Sequence, residues 1–231
     1  MQGEEYIVKL KLESPKTIGK YFSYWKLYYN EQMAVLTKKQ ILERTKAGDI
    51  GFVPGLDSFQ LQSHSVDLRL GFTFMIPKMF SMTPKGREAL IINPLENHGS
   101  EFFEILELEQ GQYFDLLPQE YIIISSFESV KIPTDLMAVL YPRSSTNRKG
   151  LSLDLTGIID SGYEGQLTLP VRNNTRSQII RLYPGERVCQ LVFEELKDTV
   201  DPSKSRYPKR DIIDGAAKEA QLEGARILKG D

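Results

Sequence analysis

The chain has 231 residues and a mass of 26.4 kDa, and its 29 basic and 31 acidic side chains give a net charge of −2. This length predicts one domain with short appendages, and the near-neutral charge argues against nucleic acid or membranes as partners. A single cysteine excludes an internal disulfide, and with only two histidines it argues against a zinc site. The N-terminus is acidic where a signal peptide is basic, and no apolar run is long enough for a membrane helix, so we expect a cytoplasmic protein.

Local signals divide the chain into three parts. Residues 1–32 form an N-terminal extension, in which weak alternation followed by aromatic residues predicts an accessory strand and helix. The main domain spans 33–196 and starts with a helix, for which Thr37 is the predicted N-cap, Ile41 and Leu42 the apolar stripe, and Gly48 the stop. Residues 197–231 form a polar, basic and then helix-prone tail, which predicts a loop and a short helix.

The rest of the main domain is a series of predicted strands. Alternating apolar residues place strands near 65–76, 102–108, 121–125, 137–141, 150–155, 166–171, 178–182 and 187–193. Turn-forming pairs such as Pro54-Gly55 and Asn173-Asn174 separate them. Many short strands without long helices between them predict an all-β sandwich or barrel.

A basic and hydroxyl-rich cluster follows the strand near 137–141. Arg143 offers a forked set of donors that matches phosphate oxygens, and Ser144 and Ser145 add hydroxyls at the turn. Arg148 contributes further positive charge nearby. The cluster predicts a phosphate site, and an ordinary polar turn with an exposed arginine is the alternative.

A carboxylate and an aromatic residue follow at Asp160 and Tyr163. Asp160 comes after two large aliphatic residues, which predicts a partly desolvated carboxylate that can act as a general base toward water. The ring of Tyr163 can lie on a sugar face, where a 2′-hydroxyl would clash. The alternative is a hairpin turn with a capping aspartate.

The strand near 187–193 carries the last polar residues of interest. Strict alternation places Arg187 and Cys189 on one face and Val188 and Gln190 on the other. An inward-facing Gln190 needs hydrogen-bond partners, which a ligand phosphate or a buried water can supply. A satisfied interior amide is the alternative.

Four motifs occur in order: SVDLRLG at 65–71, then PRSS, GIIDSGYEGQL and PGERVCQLVF. In this order and spacing they resemble the superfamily of trimeric dUTP diphosphatases and dCTP deaminases, over roughly residues 33–196. The resemblance implies a jelly-roll-like, distorted β-barrel and a homotrimer with sites between subunits. It also implies a deoxynucleoside triphosphate as ligand and Mg²⁺ bound mainly through the substrate phosphates.

The resemblance also assigns roles to individual residues. Asp160 would orient the attacking water, and Asp67 would support the waters around the metal. Tyr163 would stack on the deoxyribose. The phosphate contacts would come from Arg143, Ser144, Ser145, Gln190 and the nearby Arg148. The glycine-rich arm of the diphosphatases is absent after Phe193, and Arg206 and Tyr207 resemble the basic tail of the deaminases, so residues 197–231 are a candidate lid.

One position separates the two branches of this superfamily. In the deaminase branch that the chain resembles, a T-L-E pattern follows the IDxGxxG motif. Here Leu169 is followed by Pro170 in place of the glutamate, and proline cannot relay a proton. The sequence therefore predicts a dUTP diphosphatase. The alternatives are a dCTP deaminase, possibly of the bifunctional dUMP-forming type with Glu164 as a substitute acid or base, and a nucleotide-binding protein without turnover.

Overall fold

The structure is a computed structural model that describes residues 34–92, 102–154, 157–199 and 201. The predicted N-terminal extension, the predicted tail helix and the lid candidates Arg206 and Tyr207 lie outside the described residues. Within the described part, no helix has the length and hydropathy needed to cross a membrane.

The predicted helix is present as α1, Lys38–Ala47. It begins after Thr37, whose backbone N–H donates to the Gln40 side chain at 2.9 Å, and it ends at Gly48, which adopts a left-handed conformation with φ of 80°. Ile41 is buried, but Leu42 is 40% exposed, so the apolar stripe is narrower than predicted. A single-turn helix, α2, covers Ser144–Asn147.

Thirteen strands are found in the described residues. In chain order they are β1 Gly51–Val53, β2 Val66–Pro77, β3 Phe80–Thr83, β4 Gly86–Ala89, β5 Phe103–Glu107, β6 Phe114–Leu116, β7 Tyr121–Lys131, β8 Leu136–Pro142, β9 Leu151–Leu153, β10 Ile158–Ile159, β11 Glu164–Asn173, β12 Ile180–Leu182 and β13 Arg187–Glu195. All eight predicted strands are present. Sequence patterns missed β1, β3, β4, β6 and β10, which have two to four residues each, whereas β9 and β12, with three residues each, lie within longer predicted segments.

Most of the strands form one curled, half-barrel sheet. Its order is β10-β8-β13-β2-β7-β11-β9, with β1 also pairing with β7 and β5 with β2, and each of these pairs is antiparallel. Two small two-stranded sheets, β12-β6 and β3-β4, flank it. This architecture confirms the predicted all-β, jelly-roll-like fold.

One cluster of buried apolar side chains, contributed by most of the strands and by α1, makes up the core. Val66, Leu68, Leu70, Ile124 and Phe193 have 0% exposure, and Leu36 and Ile41 beside α1 have 1%. Asp67 lies between the core residues Val66 and Leu68 on β2, and Gln190 lies between the buried Cys189 and Leu191 on β13. The core therefore fixes the strand segments that build the candidate site.

Candidate active site

A buried carboxylate, Asp67, lies at the centre of the polar residues. The pairing of β2 with β13 sets Asp67 opposite Gln190, and only 1% of Asp67 is exposed. Its carboxylate accepts hydrogen bonds from Arg187 at 3.1 Å and Gln190 at 3.2 Å, and Nε of Arg143 lies 3.3 Å away. We call these four residues the Asp67 cluster.

A β-bulge in β13 makes this cluster possible. Arg187 pairs with Arg69 and Cys189 with Leu68, so Val188 is an extra residue on β13. The extra residue shifts the alternation, and as a result Arg187 and Gln190 both reach the same carboxylate. The sequence-based prediction that they lie on opposite faces is therefore wrong. Gln190 is half-buried and hydrogen-bonded to Asp67, so its predicted need for a partner is met within the chain.

Backbone contacts hold Arg143 in place at the end of β8. Its backbone N–H donates to the Val188 carbonyl at 3.0 Å, and its guanidinium donates to the Arg187 carbonyl at 3.0 Å. Two guanidinium groups share one carboxylate in the cluster, so one positive charge is left over. A guanidinium has five N–H donors, so such a group is well suited to bind a phosphate by donating hydrogen bonds to its oxygens.

The helix α2 places the predicted hydroxyls directly beside Arg143. Ser144 is exposed and Ser145 is half-buried, while Arg148 is exposed just beyond the end of the helix. The structure therefore brings Arg143, Ser144, Ser145, Gln190 and Asp67 together. Their contacts with a nucleotide stay a prediction.

Asp160 and Gln190 do not meet within one chain. Ile159 pairs with Ala138 on one side of β8, whereas Gln190 pairs with Tyr141 on the other side. Asp160, one residue after Ile159, lies level with Met137, which is four residues from Tyr141 on β8. Together with two strand spacings, this offset puts the Asp160 and Gln190 backbones about 16 Å apart. The Asp160 and Gln190 side chains therefore make no direct contact within one chain.

The surroundings of Asp160 and Tyr163 differ from the sequence-based expectation. Asp160 is exposed and the preceding Ile158 is 66% exposed, so the expected partial desolvation of Asp160 is absent in the single chain. Tyr163 is only 9% exposed, and its hydroxyl donates to the Gln166 carbonyl at 2.5 Å. Little of the ring is open to a sugar, and its stacking role stays a prediction.

Side chains that commonly bind metal ions do not cluster within the described residues. No group of three or more His, Cys, Asp or Glu side chains that could hold an ion is found among them. Asp67 is engaged by two guanidinium groups, whose charge opposes a nearby cation, and its role in a metal–water network stays a prediction. Mg²⁺ held by substrate phosphates stays an expectation from the sequence resemblance.

A second carboxylate, Asp154, lies next to Pro170 and was missed by the sequence analysis. The backbone N–H of Asp154 donates to the Pro170 carbonyl at 3.0 Å, in the register that pairs Leu153 with Val171. Leu153 and Val171 are buried, so alternation places Asp154 and Pro170 together on the outer face. The sequence signal that could have identified Asp154 is its position in the predicted strand 150–155, where it follows the apolar Leu153 and so faces the opposite side.

Other polar groups surround Asp154. Ser152 donates to its carboxylate at 3.1 Å. The pKa of Tyr121 is raised, first by burial and then by the charge of Asp154, while Arg172 lies 5.7 Å from the Tyr121 ring centre and lowers that pKa. The outer face around Pro170 thus carries a carboxylate, a phenol and a guanidinium.

The curled half-barrel agrees with the superfamily of dUTP diphosphatases and dCTP deaminases that the four sequence motifs resemble. Within that superfamily, the model of the dCTP deaminase-like family matches residues 35–196, and the chain belongs to this family.

Named relatives agree with this assignment. A Methanobrevibacter smithii protein named dCTP deaminase, dUMP-forming, is 36% identical over 201 residues, covering 84% of this chain and 96% of the relative. A Dictyoglomus thermophilum protein of the same name is 39% identical over 152 residues, covering 65% of this chain and 73% of the relative. The crystal structure of a dCTP deaminase from Agrobacterium tumefaciens superposes with a TM-score of 0.55 and 26% identity, covering 71% of this chain and 49% of that chain.

Proposed function

We propose that this protein forms dUMP from a deoxypyrimidine nucleoside triphosphate, with dCTP as the first candidate substrate. The reaction consumes dCTP and two waters and yields dUMP, ammonia and pyrophosphate. The names of the relatives support dCTP over dUTP as the starting nucleotide. The leading hypothesis therefore moves from the sequence-based dUTP diphosphatase to its alternative, the dUMP-forming deaminase.

The observation that carries the proposal is the shared carboxylate of the Asp67 cluster. The carboxylate oxygens of Asp67 lie 3.1–3.3 Å from side-chain nitrogens of Arg143, Arg187 and Gln190. These contacts hold the three side chains in position before a ligand binds. Such preorganisation lowers the free-energy cost of ordering side chains around a triphosphate. The excess positive charge of the two arginines favours a polyanion.

Deamination also needs a group that transfers protons near the base. Pro170 has neither a titratable side chain nor an N–H. Glu164 lies six residues earlier on β11, about 20 Å along the strand, which does not allow it to act at Pro170 within one chain. Asp154 lies directly across from Pro170 on the same face, and we propose it as the proton-transferring carboxylate.

A second candidate is hydrolysis of dUTP alone. Pro170 favours it, because the residue that stands at the position of the deaminating glutamate cannot carry a proton. In that case the Asp67 cluster would still hold the triphosphate, and Asp160 would orient the attacking water. The product would be dUMP and pyrophosphate without ammonia.

The separation of Asp160 and Gln190 supports a homotrimer as part of the proposal. With about 16 Å between their backbones, these two residues make no direct contact within one chain, which leaves room for a contribution from a second copy. A neighbouring copy would bring its Asp160 to the Asp67 cluster of the first. Light scattering of the purified protein would measure the oligomeric state.

The two candidates differ in their products from separate substrates. Purified protein would be incubated with dCTP or dUTP in the presence of Mg²⁺, and ammonia, pyrophosphate and dUMP would be measured. Ammonia from dCTP supports the deaminase, whereas pyrophosphate from dUTP with no ammonia from dCTP supports the diphosphatase. Nucleotide binding with no product from either would leave the non-catalytic alternative.

The variant Asp154→Asn tests the proposed proton-transferring group. We expect it to abolish ammonia release from dCTP, and Asp49→Asn, which changes another exposed aspartate, to leave it unchanged. Undiminished ammonia release in Asp154→Asn would remove Asp154 from the mechanism.

A further inference from the structure

A tight turn at residues 57–60, between β1 and β2, contacts the Asp67 cluster. The Asp57 carboxylate accepts the backbone N–H groups of Phe59 at 2.8 Å and of Gln60 at 3.0 Å, and these bonds close the turn. Nη1 of Arg187 donates to the Phe59 carbonyl at 2.6 Å. The turn therefore supplies a backbone acceptor to one arginine of the candidate site.

The side chain of Arg187 is held through a single nitrogen. Its Nη1 donates both to the Phe59 carbonyl and, at 3.1 Å, to the Asp67 carboxylate. No hydrogen bond of its Nε or Nη2 is found among the residues that the structure describes, and 32% of the side chain is exposed. Two fixed acceptors at one nitrogen orient the guanidinium, and its other N–H groups are left to donate to a ligand.

Gln60 fixes the turn to β2. Its side chain is fully buried, and its amide nitrogen donates to the Asp67 carbonyl at 2.9 Å and to the Glu128 carboxylate at 2.7 Å. Its amide oxygen accepts the Asp57 backbone N–H at 3.0 Å, and its backbone carbonyl accepts the Asp67 backbone N–H at 2.7 Å. A buried amide whose donors and oxygen are all paired holds the turn in one position relative to Asp67.

Glu128 anchors this arrangement from the neighbouring strand β7. It has 0% exposure, and its carboxylate also accepts Nε of Arg69 at 2.6 Å and the Arg69 backbone N–H at 2.9 Å. Arg69 pairs with Arg187 across β2 and β13. Because Arg69 has Glu128 as its own counter-charge, the Asp67 carboxylate is left to Arg143 and Arg187.

We infer that Gln60 and Glu128 are positioning residues, which set the orientation of Arg187 through the Phe59 carbonyl. That Arg187 helps to hold a triphosphate rests on the proposed function. Both positioning residues are fully buried, so they act through Arg187 and not by touching the nucleotide. When the Gln60 amide is removed, the turn is no longer fixed to β2, and Arg187 loses one of its two fixed acceptors.

A double-mutant cycle distinguishes this role from a purely structural one. Wild type, Gln60→Met, Arg187→Met and the double variant would be titrated calorimetrically with α,β-imido-dUTP, a triphosphate analogue whose bridging nitrogen resists hydrolysis. We expect Gln60→Met alone to weaken binding about three- to tenfold, because a charged hydrogen-bond donor loses its orientation. In the Arg187→Met background, the same change should alter binding by less than about twofold.

Gln112 provides a matched control. Its side chain accepts the Glu109 backbone N–H at 2.7 Å, in the same i, i+3 pattern as Gln60, but in the loop between β5 and β6. Gln112→Met should leave the affinity for the analogue unchanged. If Gln60→Met does not fold, Glu128→Gln takes its place in the cycle, with the same coupling to Arg187→Met expected.

Equal losses from Gln60→Met in both backgrounds would overturn the inference, because the effect would then bypass Arg187. Unchanged affinity in Gln60→Met would overturn it as well. The titration needs no turnover, so absence of dUMP formation with the coupling intact would contradict the proposed function alone. Formation of dUMP with additive losses would contradict the positioning role alone.

Discussion

Arg187 and Gln190 donate to the same carboxylate, that of Asp67, although three positions separate them on a β-strand. In a regular strand, an odd separation places two side chains on opposite faces. Val188 is an extra residue on β13 that has no partner of its own on β2. This insertion shifts the alternation by one residue, so the side chains of Arg187 and Gln190 reach the same carboxylate. The backbone irregularity is therefore what assembles the cluster.

This relationship also explains why Arg143 joins the cluster. The bulged Val188 accepts the Arg143 backbone N–H through its carbonyl, and Arg187 accepts the Arg143 guanidinium in the same way. The end of β8, the start of α2 and the bulge are thus one hydrogen-bonded unit. A change at its centre should affect all three elements.

The variant Asp67→Asn removes the shared negative charge. We expect it to lower the free energy of unfolding by about 3 kcal/mol, because two partly buried guanidinium groups lose their counter-charge. Triphosphate binding should weaken as well, since Arg143 and Gln190 lose their positioning. Urea unfolding and nucleotide titration measure the two effects. The control Asp49→Asn alters a half-exposed ion pair and should change both quantities little.

Replacing Gly71 by alanine should strongly destabilise the fold. A Cβ there would lie 2.3 Å from the Ser125 hydroxyl and 2.8–2.9 Å from the carbonyls of Ser125 and Ser126. Two of these three atoms belong to the backbone of β7, so β2 and β7 would have to move apart, at a cost of about 1–3 kcal/mol or more. Gly55→Ala, where no atom lies within 4 Å, is the matched control for urea unfolding. Equal midpoints for the two variants would contradict the expected clash.

The ion pair between Arg44 and Asp135 should make stability depend on pH. Arg44 donates to both Asp135 oxygens at 2.7 and 2.8 Å, and this hydrogen bonding lowers the pKa of Asp135. A carboxyl whose pKa is lower in the folded state stabilises the fold above its unfolded pKa of about 3.9, and this contribution disappears as the pH falls through the folded pKa.

Melting temperatures of wild type and Asp135→Asn, measured from pH 7 down to about 3, test this linkage. The wild type should melt higher at neutral pH, and the difference should shrink on the acid side. The reciprocal variant Arg44→Gln should show the same loss of pH dependence. A constant difference across the range would mean that Asp135 contributes through packing and not through its charge.

The single thiol should report global unfolding. Cys189 has 0% exposure, and burial, with smaller effects from Glu128 and Asp67, raises the pKa of its thiol far above the usual value. Both effects suppress reaction with a disulfide reagent, because the thiolate is the nucleophile. We expect no labelling of native protein at pH 8 and one thiol per chain in denaturant, with labelling rates that follow unfolding. Rapid labelling under native conditions would show local opening of β13.

The sequence predicted the fold well because the fold depends on patterns that are local. Alternation over five or more residues identified every long strand, and Thr37 and Gly48 marked the ends of α1. The missed strands have two to four residues and are held by pairing with neighbours, which a single sequence does not display.

The candidate site was predicted less completely, for two physical reasons. Alternation cannot register an inserted residue, so Arg187 and Gln190 were assigned to opposite faces. Exposure depends on what packs nearby, and Asp160, expected to be partly desolvated, is open to water in the single chain while Tyr163 is almost buried.

By itself, the amino-acid sequence determined the all-β class, the start helix and the set of polar residues around Arg143, because residue type and spacing are properties of the chain. Only the tertiary structure decided that Asp67 holds arginines, and that Asp154 stands beside Pro170. These relationships come from strand pairing between segments up to about 120 residues apart. Register and bulges, which depend on the packing of the whole sheet, set which side chains meet.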